Sequence, residues 1–168
     1  YGGSLARTEA TGFGLCYFTN EMLKANGKSF KDQTVVISGS GNVAIYATKK
    51  ATEFGAKVVA LSDSNGYVYD PDGIELEIVQ QIKEVERGRI KEYVDRTSHK
   101  NATYTEGCKG IWSIKCDIAL PCATQNEIDG ESAKLLAENG CYAVSEGANM
   151  PSTPEAIDVY FANNMLYG

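Results

Sequence analysis

The sequence lacks the features of a membrane protein and of a polyanion-binding protein. No apolar run approaches the roughly 20 residues that a membrane-spanning helix needs, and no signal-peptide pattern opens the chain. Acidic residues outnumber basic ones by 22 to 16, which gives a formal net charge of −6, and the basic residues form no cluster. We therefore expect neither nucleic acid nor a membrane as a partner.

The sequence also has little that would hold a metal ion or a disulfide framework. Its only histidine, His99, stands in a polar stretch without a nearby cysteine or carboxylate cluster. We interpret it as a solvated loop residue and predict no metal site. The five cysteines are odd in number and irregularly spaced, which favours reduced thiols and a cytoplasmic location.

What is present is an alternation of strand and helix patterns. Short β-branched or apolar runs without polar alternation predict strands buried on both faces, at 34–38, 57–62, 116–120 and 142–145. Helical patterns lie between and around them, at 8–26, 42–54, 129–139 and from 153 onward. A charged, periodic stretch at 74–96 predicts one or two surface helices, whereas 63–73 is rich in turn residues and 97–115 is irregular.

This order of elements predicts the fold class. Successive strands joined by crossover helices pair in parallel. We expect an α/β, Rossmann-type doubly wound sheet, mostly parallel, with helices on both faces. The 168 residues fit one domain that spans 1–168.

A glycine-rich turn between the first strand and the next helix carries the chemistry. It consists of Gly39-Ser40-Gly41-Asn42-Val43-Ala44, a G-x-G-x-x-A pattern. Gly39 would permit a tight turn, Gly41 would let the backbone approach a pyrophosphate, and Ala44 would let the helix pack closely on the sheet. The first-turn N–H groups would then face the phosphates. The pattern predicts a dinucleotide site, and the alternative is a plain strand-to-helix turn.

Residues after the second strand bear on the choice between NAD and NADP. Asp63 could accept both ribose hydroxyls of NAD and would repel the 2′-phosphate of NADP. Ser40 and Ser64 instead leave room for a phosphate and can donate to it. Lys83 and Arg89 are cations that could reach the same place, or they are solvated helix residues. The local chemistry leaves the choice open.

Two further loops each follow a predicted buried strand. They are 120–126 and 145–151. Ligands of a doubly wound sheet lie outside the carboxyl ends of its strands, so these loops should border the cofactor cleft. Ala123, Thr124, Gln125 and Asn149 are the cofactor-binding candidates there, and capping of helix starts by the glutamine and asparagine is the alternative.

At this point the chain resembles the hexameric glutamate dehydrogenases from end to end. Four strings carry the resemblance, namely residues 2–12, 39–44, 117–126 and 146–151. The resemblance implies that Thr11 and Asn42 hold the nicotinamide carboxamide and that Asn149 lies near the nicotinamide ribose. Ser40 and Ser64 look like those of NADP-type members, so we expect NADP, with NAD as the alternative.

The resemblance also implies the reaction and what this sequence does not contain. Family members convert L-glutamate, water and oxidised cofactor to 2-oxoglutarate, ammonium and reduced cofactor, typically as homohexamers in nitrogen and amino-acid metabolism. Their chemistry uses a lysine and an aspartate from an N-terminal substrate domain, and neither motif is in this sequence. We therefore expect a segment of a longer oxidoreductase that lacks that domain and a C-terminal segment, with no catalytic residue of its own.

Two other functions stay open. One is another amino-acid dehydrogenase of the same superfamily, acting on leucine, valine or phenylalanine. The other is a non-catalytic dinucleotide-sensing module, which would bind cofactor without any activity in the full-length protein.

Overall fold

A central β-sheet organises the chain. The structure is a computed structural model that describes residues 2–63, 65–85, 88–123, 127–147 and 151–168, without the side chains of 2–11, 84, 108 and 109. The strands of this sheet are β1 (Thr34–Ser38), β2 (Lys57–Ser62), β3 (Gly66–Tyr69), β4 (Thr103–Glu106), β5 (Ile118–Pro121), β6 (Ala143–Val144) and β7 (Leu166–Tyr167). Their order is β4-β3-β2-β1-β5-β6-β7. Five neighbouring strands pair in parallel, namely β2, β1, β5, β6 and β7. Strands β3 and β4 extend the sheet beyond β2 with antiparallel pairing.

Helices connect these strands. They are α1 (Gly2–Ala25), α2 (Asn42–Glu53), α3 (Leu76–Gln80), α4 (Tyr93–Arg96), α5 (Gly130–Glu138) and α6 (Pro154–Ala162). A π-helical turn covers Gln81–Val85, and 3-10 turns cover Ile90–Glu92 and Cys108–Ser113. Among the described residues, no helix combines the length and the apolar character that crossing a membrane requires.

The two faces of the sheet are covered by different helices. On one face, Val35 and Ile37 of β1 pack with buried residues of α1 and α2. On the other face, Val36 packs with buried residues of α5 and α6 and with Trp112. Successive side chains of a strand point to opposite faces, so a β1 without polar alternation serves both layers. The predicted α/β fold with a mostly parallel sheet and helices on both faces is confirmed.

Strands β3 and β4 lie in segments that were predicted to be turns and irregular chain. The turn signals around Gly66 and Asp70 are real, but the three residues between them pair with β2 on one side and with β4 on the other. Strand β4 is partly or fully exposed at the edge of the sheet and carries no apolar run. Strand β3 pairs with β2, which directly precedes it in sequence, but its pairing with β4 joins distant segments, and local patterns carry no signal of that contact.

The stretch 74–96 was predicted to form surface helices, and the structure shows a broken path of which only four described residues are buried. Short helical turns replace regular helices. Val79, Ile82, Ile90 and Tyr93 are fully buried in the core beside α2. Apolar positions of this periodic stretch thus face the core from several short segments.

Candidate functional site

The glycine turn connects β1 to α2 in three residues. Gly39 adopts φ of +90°, a conformation that L side chains rarely take. A Cβ on Gly39 would lie 3.2 Å from the carbonyl oxygen of Cys122, so the space is also too tight for a side chain. The Gly39 N–H donates to Oγ of Ser62 at 2.8 Å. The turn is therefore fixed from two neighbouring strands.

Gly41 stands at the start of α2 and faces open space. A Cβ there would meet no atom within 4 Å, and its φ of −79° is allowed for any residue. A helix leaves the N–H groups of its first turn without partners inside the helix. Side chains of Asp129 and Thr153 accept such a group at α5 and α6, whereas Gly41 has no side chain to do so. The start of α2 can thus present its N–H groups and positive dipole end to an anion.

The rest of the motif supports that start. Asn42 is exposed and Val43 half-buried, next to the open space, whereas Ala44 is buried against the sheet. Ser40 is only 4% exposed, so its hydroxyl lies inside the turn in this structure. The Ile45 N–H donates to the Gly41 carbonyl at 2.9 Å, which closes the first helical turn.

Asp63 follows the carboxyl end of β2, on the same side of the sheet as the glycine turn that follows β1. This side of the sheet, at the carboxyl ends of the parallel strands, is called the site edge. Its Oδ1 accepts hydrogen bonds from the N–H groups of Asn65 at 2.9 Å and Gly66 at 3.2 Å. Its Oδ2 accepts one from the Ile90 N–H at 3.0 Å. The side chain is 5% exposed. Both carboxylate oxygens therefore bind backbone groups of the protein.

Lys83 lies beside Asp63. Its Nζ is 4.0 Å from Oδ2 of Asp63 and donates to the Gly88 carbonyl at 3.1 Å, with a side chain that is 20% exposed. Arg89, which directly follows Gly88, is exposed. The structure thus brings one predicted cation to the end of β2 and holds the other on the neighbouring connection.

The loops after β5 and β6 meet the glycine turn. Ala123 is exposed, and its Cα would be 3.4 Å from a Cβ on Gly39. Its N–H donates to Oε2 of Glu127 at 3.0 Å. The Gly147 N–H donates to the Pro121 carbonyl at 2.9 Å, which ties the second loop to the first. Of the predicted site residues, Ser64, Thr124, Gln125 and Asn149 lie outside the described residues.

Helix α1 also reaches this edge. Gly12 packs so closely on α2 that a Cβ would lie 2.8 Å from Cβ of Tyr46 and 3.0 Å from the carbonyl oxygen of Val43. The backbone of Thr11 is therefore next to the first turns of α2, whereas its side chain lies outside the described part of the chain. The close approach needs a residue without a side chain at position 12.

Two hydroxyl groups that sequence reasoning missed hold this edge together. Ser62 accepts the Gly39 N–H, and Ser38 accepts the Cys122 N–H at 2.9 Å. Both serines are buried and end otherwise apolar strands. That position, a lone hydroxyl at the carboxyl end of a buried strand, is the signal that could have identified them.

The cysteines near this edge are packing residues. Burial raises the pKa of the Cys122 thiol well above its usual value, and burial raises that of Cys16 to about 12. Thiols of this kind stay protonated and are poor nucleophiles. In the part of the chain that the structure describes, Cys16, Cys116, Cys122 and Cys141 are all free, in agreement with the predicted reduced thiols.

A second polar cluster contains His99, and here the sequence interpretation is wrong. His99 Nδ1 lies 2.7 Å from Oδ2 of the fully buried Asp70, and Nε2 lies 3.4 Å from Oε1 of Glu75. Tyr93 donates to the same Asp70 oxygen at 2.6 Å and accepts the Glu75 N–H at 2.8 Å. The hydrogen bond with Asp70, together with nearby carboxylates, raises the pKa of His99. The partners are far apart in sequence, which is why a local pattern misses them.

Asp72 completes this cluster. Ligand-type atoms of Asp70, Asp72 and His99 lie within 4.8 Å of one another, so His99 does have neighbouring carboxylates. Hydrogen bonds from Tyr93 and His99 already engage Oδ2 of Asp70. Hydrogen bonds and ion pairing within the protein therefore explain why these side chains lie together.

Comparisons with known proteins agree with these features. A family model described as Glutamate/Leucine/Phenylalanine/Valine dehydrogenase matches residues 2–168. The chain is 54% identical over 99% of its length to a glutamate dehydrogenase of Bacteroides thetaiotaomicron. It is 50% identical over its whole length to an NADP-specific glutamate dehydrogenase of Helicobacter pylori.

A solved structure gives the same result for the fold. The crystal structure of glutamate dehydrogenase from Plasmodium falciparum matches 96% of this chain with a TM-score of 0.89 and 49% identity. The chain spans 34% of that protein, and 37% and 38% of the two bacterial relatives. The similarity thus concerns one part of each longer protein.

Proposed function

The chain belongs to the Glutamate/Leucine/Phenylalanine/Valine dehydrogenase family, and from that premise we propose that residues 1–168 are the dinucleotide-binding domain of a longer glutamate dehydrogenase. The full-length enzyme would convert L-glutamate, NADP⁺ and water to 2-oxoglutarate, ammonium, NADPH and a proton. It would be a cytoplasmic homohexamer. The substrate-binding lysine and aspartate would come from a domain outside this chain.

The start of α2 is the observation that carries the proposal. A dinucleotide needs a place where its pyrophosphate can approach backbone N–H groups closely. Gly39 makes the tight turn off β1, and Gly41 leaves open space in front of the first turn of α2. Ala44 is buried, so the helix packs directly on the sheet. The residues present therefore fit the phosphate end of such a cofactor.

The nicotinamide end would lie between α1, α2 and the loops after β5 and β6. The bound cofactor would supply the acceptor for the hydride that leaves the α-carbon of glutamate. Thr11 and Asn42 would bind the carboxamide, and Asn149 the ribose next to it. Ala123, Thr124 and Gln125 would line the cleft. The close packing of Gly12 on α2 and the contact between Ala123 and Gly39 support this arrangement.

The choice of NADP rests on the cations near β2. Lys83 has its ammonium group close to the end of β2, where a 2′-phosphate of the adenosine ribose would lie, and Arg89 is exposed nearby. Ser64 would donate from the adjacent loop, whereas the buried Ser40 would donate from the glycine turn only if its hydroxyl turned outward. The name NADP-specific of the Helicobacter pylori relative supports the same choice. The alternative is NAD, with Asp63 binding the ribose hydroxyls.

The phosphate site is tested by replacing Gly41. Gly41→Ala adds one methyl group that meets no protein atom, so the fold should be unchanged while the cofactor is pushed away from the helix start. We expect affinity for NADP⁺ and NAD⁺ to fall together, by about tenfold or more, in calorimetric titrations of the full-length enzyme. Gly14→Ala is the matched control, because its Cβ also meets nothing within 4 Å. Unchanged affinity in Gly41→Ala would remove the pyrophosphate from this turn.

The cofactor preference is tested with the same titrations at fixed salt. We expect NADP⁺ to bind more tightly than NAD⁺, and Lys83→Gln to lower only the affinity for NADP⁺, by about tenfold or more. Lys134→Gln, on the exposed face of α5, is the matched loss of one positive charge. Tighter binding of NAD⁺ by the wild type would mean that the NADP assignment is wrong.

The substrate is tested by turnover. The full-length enzyme should oxidise L-glutamate faster than leucine, valine or phenylalanine. A preference for one of those three would identify another amino-acid dehydrogenase of the family. Cofactor binding with no turnover of any of the four would identify a dinucleotide-sensing module instead.

A further inference from the structure

We infer that Asp63 is a positioning residue for cofactor preference, which holds Lys83 and the connection through Ile90 at the end of β2 and does not bind the ribose itself. This inference rests on the proposed NADP function. An acidic residue at the end of the second strand of such a fold ordinarily accepts the ribose hydroxyls and excludes NADP. The contacts of Asp63 give this carboxylate a different task.

Most of the acceptor capacity of Asp63 is used inside the protein. Three backbone N–H groups, those of Asn65, Gly66 and Ile90, donate to its two oxygens. The side chain is 5% exposed. These bonds occupy three of the about four acceptor sites of a carboxylate, so a ribose that engaged both oxygens would have to displace at least one buried N–H group. The carboxylate therefore faces the protein backbone, and we expect it to leave the ribose unbound.

Asp63 also organises the cations. Its hydrogen bond to Ile90 fixes the chain immediately after Gly88 and Arg89. Lys83 Nζ lies between Oδ2 of Asp63 at 4.0 Å and the Gly88 carbonyl at 3.1 Å. One partner of Lys83 is thus Asp63 itself, and the other, Gly88, lies two residues before the Ile90 that Asp63 binds and is also held by the bond from its N–H to the Ile82 carbonyl at 2.7 Å. An ammonium held in this way retains donors for an incoming phosphate.

A bare carboxylate at this position would repel a 2′-phosphate, but the charge of Asp63 is offset by Lys83 and by the three N–H dipoles. Arg89 adds an exposed cation on the adjoining connection. The net effect of Asp63 on a phosphate is then favourable, because it places cations that would otherwise move.

This reasoning reverses the usual expectation for a substitution. If Asp63 bound the ribose, Asp63→Asn would weaken NAD⁺ binding and relieve repulsion of NADP⁺. If Asp63 positions Lys83, Asp63→Asn weakens NADP⁺ binding and leaves NAD⁺ nearly unchanged. Asp63→Ser is a second variant, because serine can still accept from the N–H groups of the turn but is too short to hold Ile90 and Lys83.

The experiment is a double-mutant cycle in the full-length enzyme with Kd values for NADP⁺ and NAD⁺ at fixed salt. We expect Asp63→Asn and Asp63→Ser each to weaken NADP⁺ binding by about fivefold to tenfold and NAD⁺ binding by less than about twofold. In the Lys83→Gln background the same substitutions should have almost no further effect on NADP⁺. Asp158→Asn, on the exposed side of α6, controls for the loss of one negative charge. Thermal melting of each variant confirms that it is folded.

Three outcomes separate the possibilities. A larger loss for NAD⁺ than for NADP⁺ would show that Asp63 binds the ribose, and the inference would be overturned. Additive losses of NADP⁺ affinity in the double variant would overturn the route through Lys83. If the wild type prefers NAD⁺ and Lys83→Gln changes nothing, the NADP function fails, whereas unchanged NAD⁺ binding in Asp63→Asn would still identify an inward-facing carboxylate.

Discussion

Buried hydroxyl groups act at the residue scale to hold the edge of the sheet on which the glycine turn lies. Ser62 accepts the N–H of the buried Gly39. Ser62→Ala removes the acceptor and leaves that N–H without a partner. We expect the free energy of unfolding to fall by about 1–3 kcal/mol, measured by urea denaturation.

Ser145 provides the matched control. It is fully buried, and its Oγ has no hydrogen-bond partner among the described residues. Ser145→Ala removes a similar hydroxyl without breaking a bond, so stability should be unchanged or rise by about 1 kcal/mol. Equal losses in the two variants would mean that packing volume, and not the bond to Gly39, accounts for the effect of Ser62.

The crossing of α1 and α2 is the decisive contact at the scale of elements. Gly12→Ala would place a Cβ 2.8 Å from Cβ of Tyr46 and 3.0 Å from a backbone oxygen, so one helix must shift. We expect a loss of about 1–3 kcal/mol of unfolding free energy. Gly14→Ala, in the same helix but in open space, should stabilise by about 0.5–1 kcal/mol through its higher helix propensity. Losses of the same size at both positions would contradict close packing at Gly12.

The elements that the sequence predicts well are those whose signals are local. Strands β1 and β2 have the predicted bounds because each contains a short apolar run without polar alternation. Gly55 and Gly140 end α2 and α5 with φ of +97° and +89°, as glycines after helices commonly do. Strand β5 extends to Pro121, one residue beyond its prediction, because a proline at the last position of a strand still offers its carbonyl.

The residues of the candidate site also divide into those that a local motif predicts and those that contacts between distant segments position. The glycine turn is a local motif and was predicted from its residues. The bonds from Asp63 to Ile90 and from His99 to Asp70 join residues 27 and 29 positions apart, across segments whose paths local patterns do not specify. These long-range contacts decide whether a charged side chain faces a ligand or the protein, which is why the residues left the choice of cofactor open.

At the scale of the whole molecule, the His99 cluster joins the antiparallel edge of the sheet to the core. Asp70 follows β3, Glu75 precedes α3, Tyr93 begins α4, and His99 lies between α4 and β4. Two carboxylates face the two ring nitrogens of His99, an arrangement that favours the protonated ring. Protonation of one side chain therefore contributes to the docking of four segments.

This cluster predicts a pH dependence of stability. The folded-state pKa of His99 is raised above its unfolded value of about 6.5, so its contribution is complete below that pH and is lost as pH rises through the folded pKa. Unfolding free energies measured by urea denaturation should fall as the pH rises from about 6.5 through the folded-state pKa of His99. Below this window, Glu75, whose pKa is lowered chiefly by Thr97, loses its own contribution as pH falls through its folded pKa.

His99→Gln isolates the histidine. The variant keeps a side chain that can donate a hydrogen bond but cannot take up a proton, so the fall in stability as the pH rises above about 6.5 should be much smaller than in the wild type. The pH range of the comparison matters. Because folding raises the pKa of the buried thiols, both proteins lose further stability at higher pH for a reason that does not involve His99. Parallel pH profiles for the two proteins would show that His99 does not carry the effect.

On the proposed function, turnover would require more of the molecule than this chain. Hydride transfer needs the glutamate α-carbon held against the nicotinamide ring, and the groups that the family resemblance assigns to that task lie in another domain. We expect the isolated 168-residue chain to bind NADP⁺ weakly by calorimetry and to form no reduced cofactor with saturating L-glutamate, followed by nicotinamide fluorescence. Circular dichroism would verify that the chain is folded, and the full-length enzyme at equal concentration is the positive control. Measurable glutamate oxidation by the isolated chain would mean that its own residues hold the substrate, and the division of labour between two domains would be wrong.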